Sequence, residues 1–187
     1  MSIRIATLED APALARVLID TIRSAHRGQV PDEALLKQPL AEAYAESEAN
    51  WRRALQEIAN GDNPQAQIFV AEDETGTVVG LTMVGPPKQA LLPNSGEIYT
   101  LYVRQSHQGR GYGHALVQAA AEFLAQVGFS SLLIGALAVN APACRFYANL
   151  GGRVVAERET ETFEMLMPEL VFGWEDLQIL VTKEEDK

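Results

Sequence analysis

Polar and apolar residues alternate in short stretches of the chain and recur at helical spacing in longer ones, so the elements can be read before any chemistry. Ile3 and Ile5 alternate with polar neighbours as a short strand, and Thr7-Leu8-Glu9-Asp10 reads as an N-cap. The helix it opens carries Leu14, Leu18 and Ile22 on one face and is expected to end near Gly28. A second helical region follows Pro31, is interrupted at Pro39, and runs through Tyr44, Trp51, Leu55 and Ile58 to a stop at Asn60-Gly61. The segment between these helices is a candidate substrate loop, and it contains His26.

Ala66 to Glu72 and Thr77 to Val84 are rich in strand-forming residues and flank the short turn Asp73-Glu74-Thr75-Gly76, which predicts an antiparallel hairpin ended by Pro86-Pro87. Gly96 to Val103 reads as the next strand and Gly111 to Val127 as an amphipathic helix closed by Gly128. Ser130 to Val139 reads as a buried strand. A helix-length segment, Ala141 to Leu150, ends at Gly151-Gly152. Beyond it come a strand from Arg153 to Arg158, a polar loop through Thr160 to Phe163, a strand from about Met167 to Trp174, and a terminal helical turn. Pro168 is expected to hold that last strand to a start or edge position. Trp174 is assigned either to packing over the substrate side or to a dimer contact.

With 187 residues, 47% hydrophobic and 21% charged, the chain fits one folded domain over 1–182, with 183–187 as a flexible tail. The formal net charge of -10, without a basic or basic-aromatic stripe, argues against nucleic-acid binding. The one cysteine, Cys144, permits no intrachain disulfide and no thiolate metal cluster. Three histidines without ligand spacing give no metal site. The apolar run Leu132 to Val139 is far short of the roughly 18 residues of a membrane span. The N-terminus lacks a signal-peptide core, and a cytoplasmic location is expected.

Against that acidic background, Glu97 to Gly113 runs from a strand through a basic, glycine-rich turn into a helix. Arg104, His107 and Arg110 lie there without an intervening acid. Free backbone N–H groups at a helix start suit an anion, and Gly109, Gly111 and Gly113 let a phosphate approach the backbone. Two other glycine motifs fit badly. A Walker phosphate loop would end in Gly-Lys-Ser/Thr where this chain has Gly113-His114-Ala115, and Leu116 occupies the third-glycine position of a dinucleotide fingerprint.

Leu101-Tyr102-Val103, then Gln108-Gly109-Arg110-Gly111-Tyr112-Gly113, then Asn140, then Arg145-Phe146-Tyr147 through Gly151, fall in the order of the GCN5-related N-acetyltransferase (GNAT) family, which the chain resembles most strongly over Glu97 to Gly152. The resemblance implies an α/β (α+β) fold: a central mixed, mostly antiparallel twisted sheet flanked by helices, with splayed central strands holding acetyl-CoA. It implies that the pyrophosphate sits on the amides of Gly109 to Gly113 and the start of the helix at Tyr112 and His114, with Gln108 shaping the turn. The pantothenate arm would pair with Leu101, Tyr102 and Val103, Asn140 would bind it from the other side, and a strand amide would polarise the thioester carbonyl. No metal is implied.

The reaction implied is direct attack of a primary amine, of a small molecule or of a peptide or protein, on the acetyl thioester. The amine must first lose a proton, since a lysine-like ammonium has a pKa of roughly 10. Glu97 is the candidate base, directly or through water, against the alternative that it caps or solvates a strand end. Tyr147 takes the family's general-acid position, against the alternative that it is an aromatic core residue beside Phe146. A coenzyme A-binding sensor without turnover, O-acetylation and transfer of longer acyl chains remain alternatives. Either a monomer or a homodimer is compatible with the sequence.

Overall fold

The computed structural model describes residues 1–181. The proposed tail at 183–187 lies outside them. Seven strands form one sheet: β1 (Ser2–Ile5), β2 (Gln67–Glu72), β3 (Val78–Gly85), β4 (Ser95–Val103), β5 (Ser131–Leu137), β6 (Arg153–Thr162) and β7 (Met165–Trp174). Their spatial order is β1-β2-β3-β4-β5-β7-β6. Every neighbouring pair is antiparallel except β4 and β5, which run parallel.

The helices are α1 (Ala11–Ala25), α2 (Asp32–Leu35), α3 (Leu40–Ala59), α4 (Tyr112–Gln126) and α5 (Ala141–Asn149). Before α1, the Thr7 N–H donates to Asp10 Oδ2 at 2.8 Å, closing a short 3₁₀ turn. Arg4 on β1 then binds the Asp10 carboxylate with two N–H groups at 2.7 and 2.9 Å and reaches Glu72 on β2. The bidentate guanidinium holds Asp10 below the usual carboxylate range and pins the start of α1 to the sheet edge.

Each sheet face has its own core because β2 is buried on both sides, Ile68 and Val70 facing one way and Phe69 and Ala71 the other. Leu14, Val17, Trp51 and Leu55 of α1 and α3 pack on Ile68, Val70 and Leu81. Leu116, Ala120 and Leu124 of α4 pack on Ile98, Leu132, Ile134 and Phe172 across the opposite face. Each fully buried Leu or Ile contributes about 1.5–3 kcal/mol.

Three expectations are corrected at the C-terminal end. The strand expected to stop at Arg158 runs to Thr162, so the polar loop is strand, and the turn is only Phe163-Glu164, both in the left-handed region at φ 53° and 58°. Without Gly or Asn there, the sequence carries no ordinary hairpin signal. Pro168 lies inside β7, between two neighbours, rather than at an edge. It is tolerated because its carbonyl accepts from Ala138 N–H just past the last β5–β7 pair, Leu137↔Glu169, so the missing N–H faces the end of β5 and not the β6 ladder. Trp174 is core: it is 2% exposed, its indole N–H donates to the Leu150 carbonyl at 2.9 Å, and its ring occupies the space that a side chain at Gly152 would need.

Gly96 lets β4 and α4 approach closely, since a Cβ there would stand 2.3 Å from Leu124 Cδ2. Gly96→Ala is expected to destabilise the fold by about 1–3 kcal/mol through overpacking, read as a lower denaturation midpoint with an unchanged slope.

Candidate active site

Parallel pairing between β4 and β5 begins at Ser95↔Ser131 and stops at Ile98↔Ile134. Beyond that point β4 continues along β3 to Val103 and β5 continues along β7 to Leu137, so a gap opens between the two central strands. The cause lies in β4. Val84 opposes Ile98 while Met83 opposes Thr100, which leaves Tyr99 as the extra residue of a β-bulge. From Tyr99 onward the β5-facing backbone of Leu101 to Val103 has no neighbouring strand. Tyr99 itself is anchored by donating its hydroxyl to the Pro86 carbonyl, and burial together with nearby Glu97 pushes its phenol up to about 12.

At the far end of β4, a 3₁₀ turn (Gln105–His107) leads into the glycine segment. The Gln108 side-chain amide donates back to the Val103 carbonyl at 3.0 Å, tying the turn to the strand end. Gly109 and Gly111 adopt φ 72° and 88°, open to the left-handed region only at a steric cost for other residues. Among the described residues, the backbone N–H groups of Gly109, Arg110, Gly111, Tyr112, Gly113 and His114 have no backbone acceptor, and the first capped amide is Ala115, bonded to Gly111. A Cβ at Gly109 or Gly111 would meet nothing within 4 Å, so both glycines border open space. Arg110 and His114 are exposed beside it, whereas the Tyr112 ring turns into the core at 7% exposure, edge-on to His107.

On the α4 side of the gap, Asn140 caps α5, accepting from Ala143 N–H through Oδ1 at 3.2 Å. Tyr147, two turns along α5, is 5% exposed and packs against Phe146 and Phe172. Burial, with Tyr102 and Cys144 nearby, raises its phenol far above the ordinary tyrosine value, so the hydroxyl keeps its proton at neutral pH. The Cys144 thiol is half-buried, raised by burial, and points at the Leu137 carbonyl.

Glu97 projects to the opposite face from Gly96, which meets α4. It is 4% exposed, accepts the Lys88 N–H on Oε2 at 2.7 Å, and has Arg158 Nη2 3.8 Å from Oε1. Arg158 Nε in turn donates to Glu169. Neither Arg158 nor Glu169 stood out in the sequence. The signal was the hairpin register: once the turn is placed at Phe163-Glu164, residues 158 and 169 face each other directly. His26 lies apart from the gap, buried against the Phe163 ring, with its pKa lowered by burial. On the same face as Glu97, a cavity of about 410 Å³ lies between α1 and α3 over Met83, lined also by Leu18, Gln38, Ser47, Asn50 and Trp51. Among the described residues no group of three His, Cys, Asp or Glu could hold a metal, and no helix is long and apolar enough to cross a membrane.

A mixed sheet that parts between its parallel strands, with a bare helix N-terminus at the open end, is the architecture of N-acetyltransferases. The PaiA N-acetyltransferase of Thermoplasma acidophilum in complex with coenzyme A superposes with a TM-score of 0.68 at 17% identity over 90% of this chain and 96% of that one. The ribosomal-protein-alanine N-acetyltransferase of Brucella melitensis gives a TM-score of 0.68 at 23% identity over 93% and 99%. In sequence, the uncharacterized N-acetyltransferase YuaI of Bacillus subtilis is 33% identical over 183 residues, 97% of each chain. The profile of the acetyltransferase (GNAT) family matches residues 33–151, and the chain belongs to that family.

The raised Tyr147 pKa has a thermodynamic consequence. Its neutral phenol adds stability that is complete below the unfolded value of about 10 and is lost as pH rises from there through the folded value. Denaturation midpoints between about pH 9 and 11 should therefore fall more steeply for the wild type than for Tyr147→Phe.

Proposed function

We propose that this chain is an acetyl-CoA-dependent N-acetyltransferase that transfers acetyl to a primary amine, of a small molecule or of a peptide or protein, by direct attack in a ternary complex. The observation that carries the reading is the gap between β4 and β5, with unpaired donors along one strand and at the helix start beyond it. The residues fit the cofactor's chemistry. The uncapped amides from Gly109 to His114 suit a pyrophosphate, Arg110 adds charge, and Gln108 fixes the turn. On the β5 side, the Leu101 backbone and the Val103 N–H suit the amides of the pantetheine arm beside Tyr102, whose own backbone pairs with Leu81 of β3, and the Asn140 Nδ2 group is a donor from α5 while Oδ1 remains the helix cap.

Bound acetyl-CoA supplies an acetyl thioester with a thiolate leaving group. The chain's own part is positioning and proton transfer. Glu97, held by Lys88 N–H, takes a proton from the incoming ammonium directly or through water, which frees the nitrogen lone pair to form the amide bond. A β4 backbone N–H beside the bulge polarises the carbonyl. Tyr147, kept neutral by burial, returns a proton to the departing sulfur. The cavity over Met83 is of small-molecule size and opens on the Glu97 face, where the acceptor approaches.

Calorimetric titration with acetyl-CoA is expected to show saturable binding, weakened at least tenfold in Gly111→Val, which places a branched side chain at φ 88° beside the free amides. With a turned-over amine, Tyr147→Phe should lower kcat by about 100-fold while leaving that binding intact. Absence of binding in a folded wild type, or unchanged kcat in Tyr147→Phe, would overturn the respective assignment.

A further inference from the structure

On the face opposite α4, three strands send charged side chains to the mouth of the gap: Glu97 from β4, Arg158 from β6 and Glu169 from β7. Two carboxylates face one guanidinium there, with the Lys88 ammonium nearby over the Tyr99 ring. Their oxygens are not equally occupied. Glu97 uses Oε2 for Lys88 N–H and turns Oε1 toward Arg158. Glu169 accepts from Arg158 through Oε2 alone, and its Oε1 has no hydrogen-bond partner among the described residues.

That spare oxygen has a defined place. A Cβ at Gly135 would stand 2.3 Å from Glu169 Oε1, so the carboxylate lies directly on the β5 backbone. Gly135 is the first β5 residue beyond the last β4 pair, Ile98↔Ile134, and so floors the gap where it opens. A cross-strand pair between Arg158 and Glu169 requires only β6 and β7. The sideways reach over a third strand, into room left by a glycine, brings unused carboxylate lone pairs to the point where the strands part.

We propose that Glu169 Oε1 receives the ammonium group of the acceptor, with Arg158 as its positioning residue. This inference rests on the N-acetyltransferase reading of the same gap. An ammonium offers three donors, enough to bond Glu169 and still face Glu97, and a charge-assisted contact in a half-buried site is the strong kind. Gly135 acts as a specificity position through absence, since any side chain there displaces the carboxylate.

The test is thiol release from acetyl-CoA with spermidine, lysine amide, 2-phenylethylamine and a short peptide bearing a free N-terminus, followed by Glu169→Gln and Gly135→Ala with the amine used fastest. Both variants are expected to raise the KM for that amine about tenfold or more at neutral pH, with acetyl-CoA affinity by calorimetry unchanged. The Glu169→Gln defect should shrink as pH approaches the amine's own pKa and the cation is titrated away. An unchanged amine KM in Glu169→Gln, or loss of acetyl-CoA affinity and melting temperature along with it, would overturn this inference alone. If acetyl-CoA binds but no amine is turned over, the N-acetyltransferase reading falls as well.

Discussion

The parting of β4 from β5 after Ile98↔Ile134 is the constraint on which the rest of the site depends. A parallel pair that stayed in register to Val103 would satisfy its own backbone and leave nothing to bind. One extra residue in β4, Tyr99, breaks the register against β3, and its anchored hydroxyl holds the bulge in place. The cost is a row of strand groups without partners. The benefit is a backbone template in the middle of a sheet, buttressed on one face by α4 and on the other by α1 and α3.

The groups about that gap fall on two sides. Tyr147 and Asn140 arrive from α5 on the α4 side, whereas Glu97, Arg158 and Glu169 stand on the other. The two sides differ in chemistry. Tyr147 sits among Phe146 and Phe172, where ionisation is costly, while the opposite mouth is charged. A neutral phenol on one side and carboxylates on the other stand where the proposed transfer would need a proton donor and a proton acceptor.

Much of this was legible in the sequence where the signal is local. The turn from Gln108 to Gly113 was readable because glycines, a side chain reaching back to Val103 and a helix start lie within a few residues. The helix around Tyr147 was readable from its length and its stop at Gly151-Gly152, whereas its cap at Asn140 emerges only in the structure. Long-range geometry was not legible. The bulge at Tyr99 leaves no compositional mark, and Arg158, Glu169 and Gly135 meet only because three strands adopt a register set by a turn of two unsuited residues, Phe163 and Glu164. Pro168 misled for the same reason, since its tolerance depends on where β5 happens to end.

On this reading the parted strand and the uncapped helix start bind one ligand together. Amide hydrogen exchange with and without acetyl-CoA tests it most directly, because both segments expose backbone N–H groups whose partners would be the cofactor. Slowed exchange in both Leu101–Val103 and Gly109–His114 on adding acetyl-CoA is the predicted result. Unchanged exchange in either segment at saturating acetyl-CoA would contradict the account.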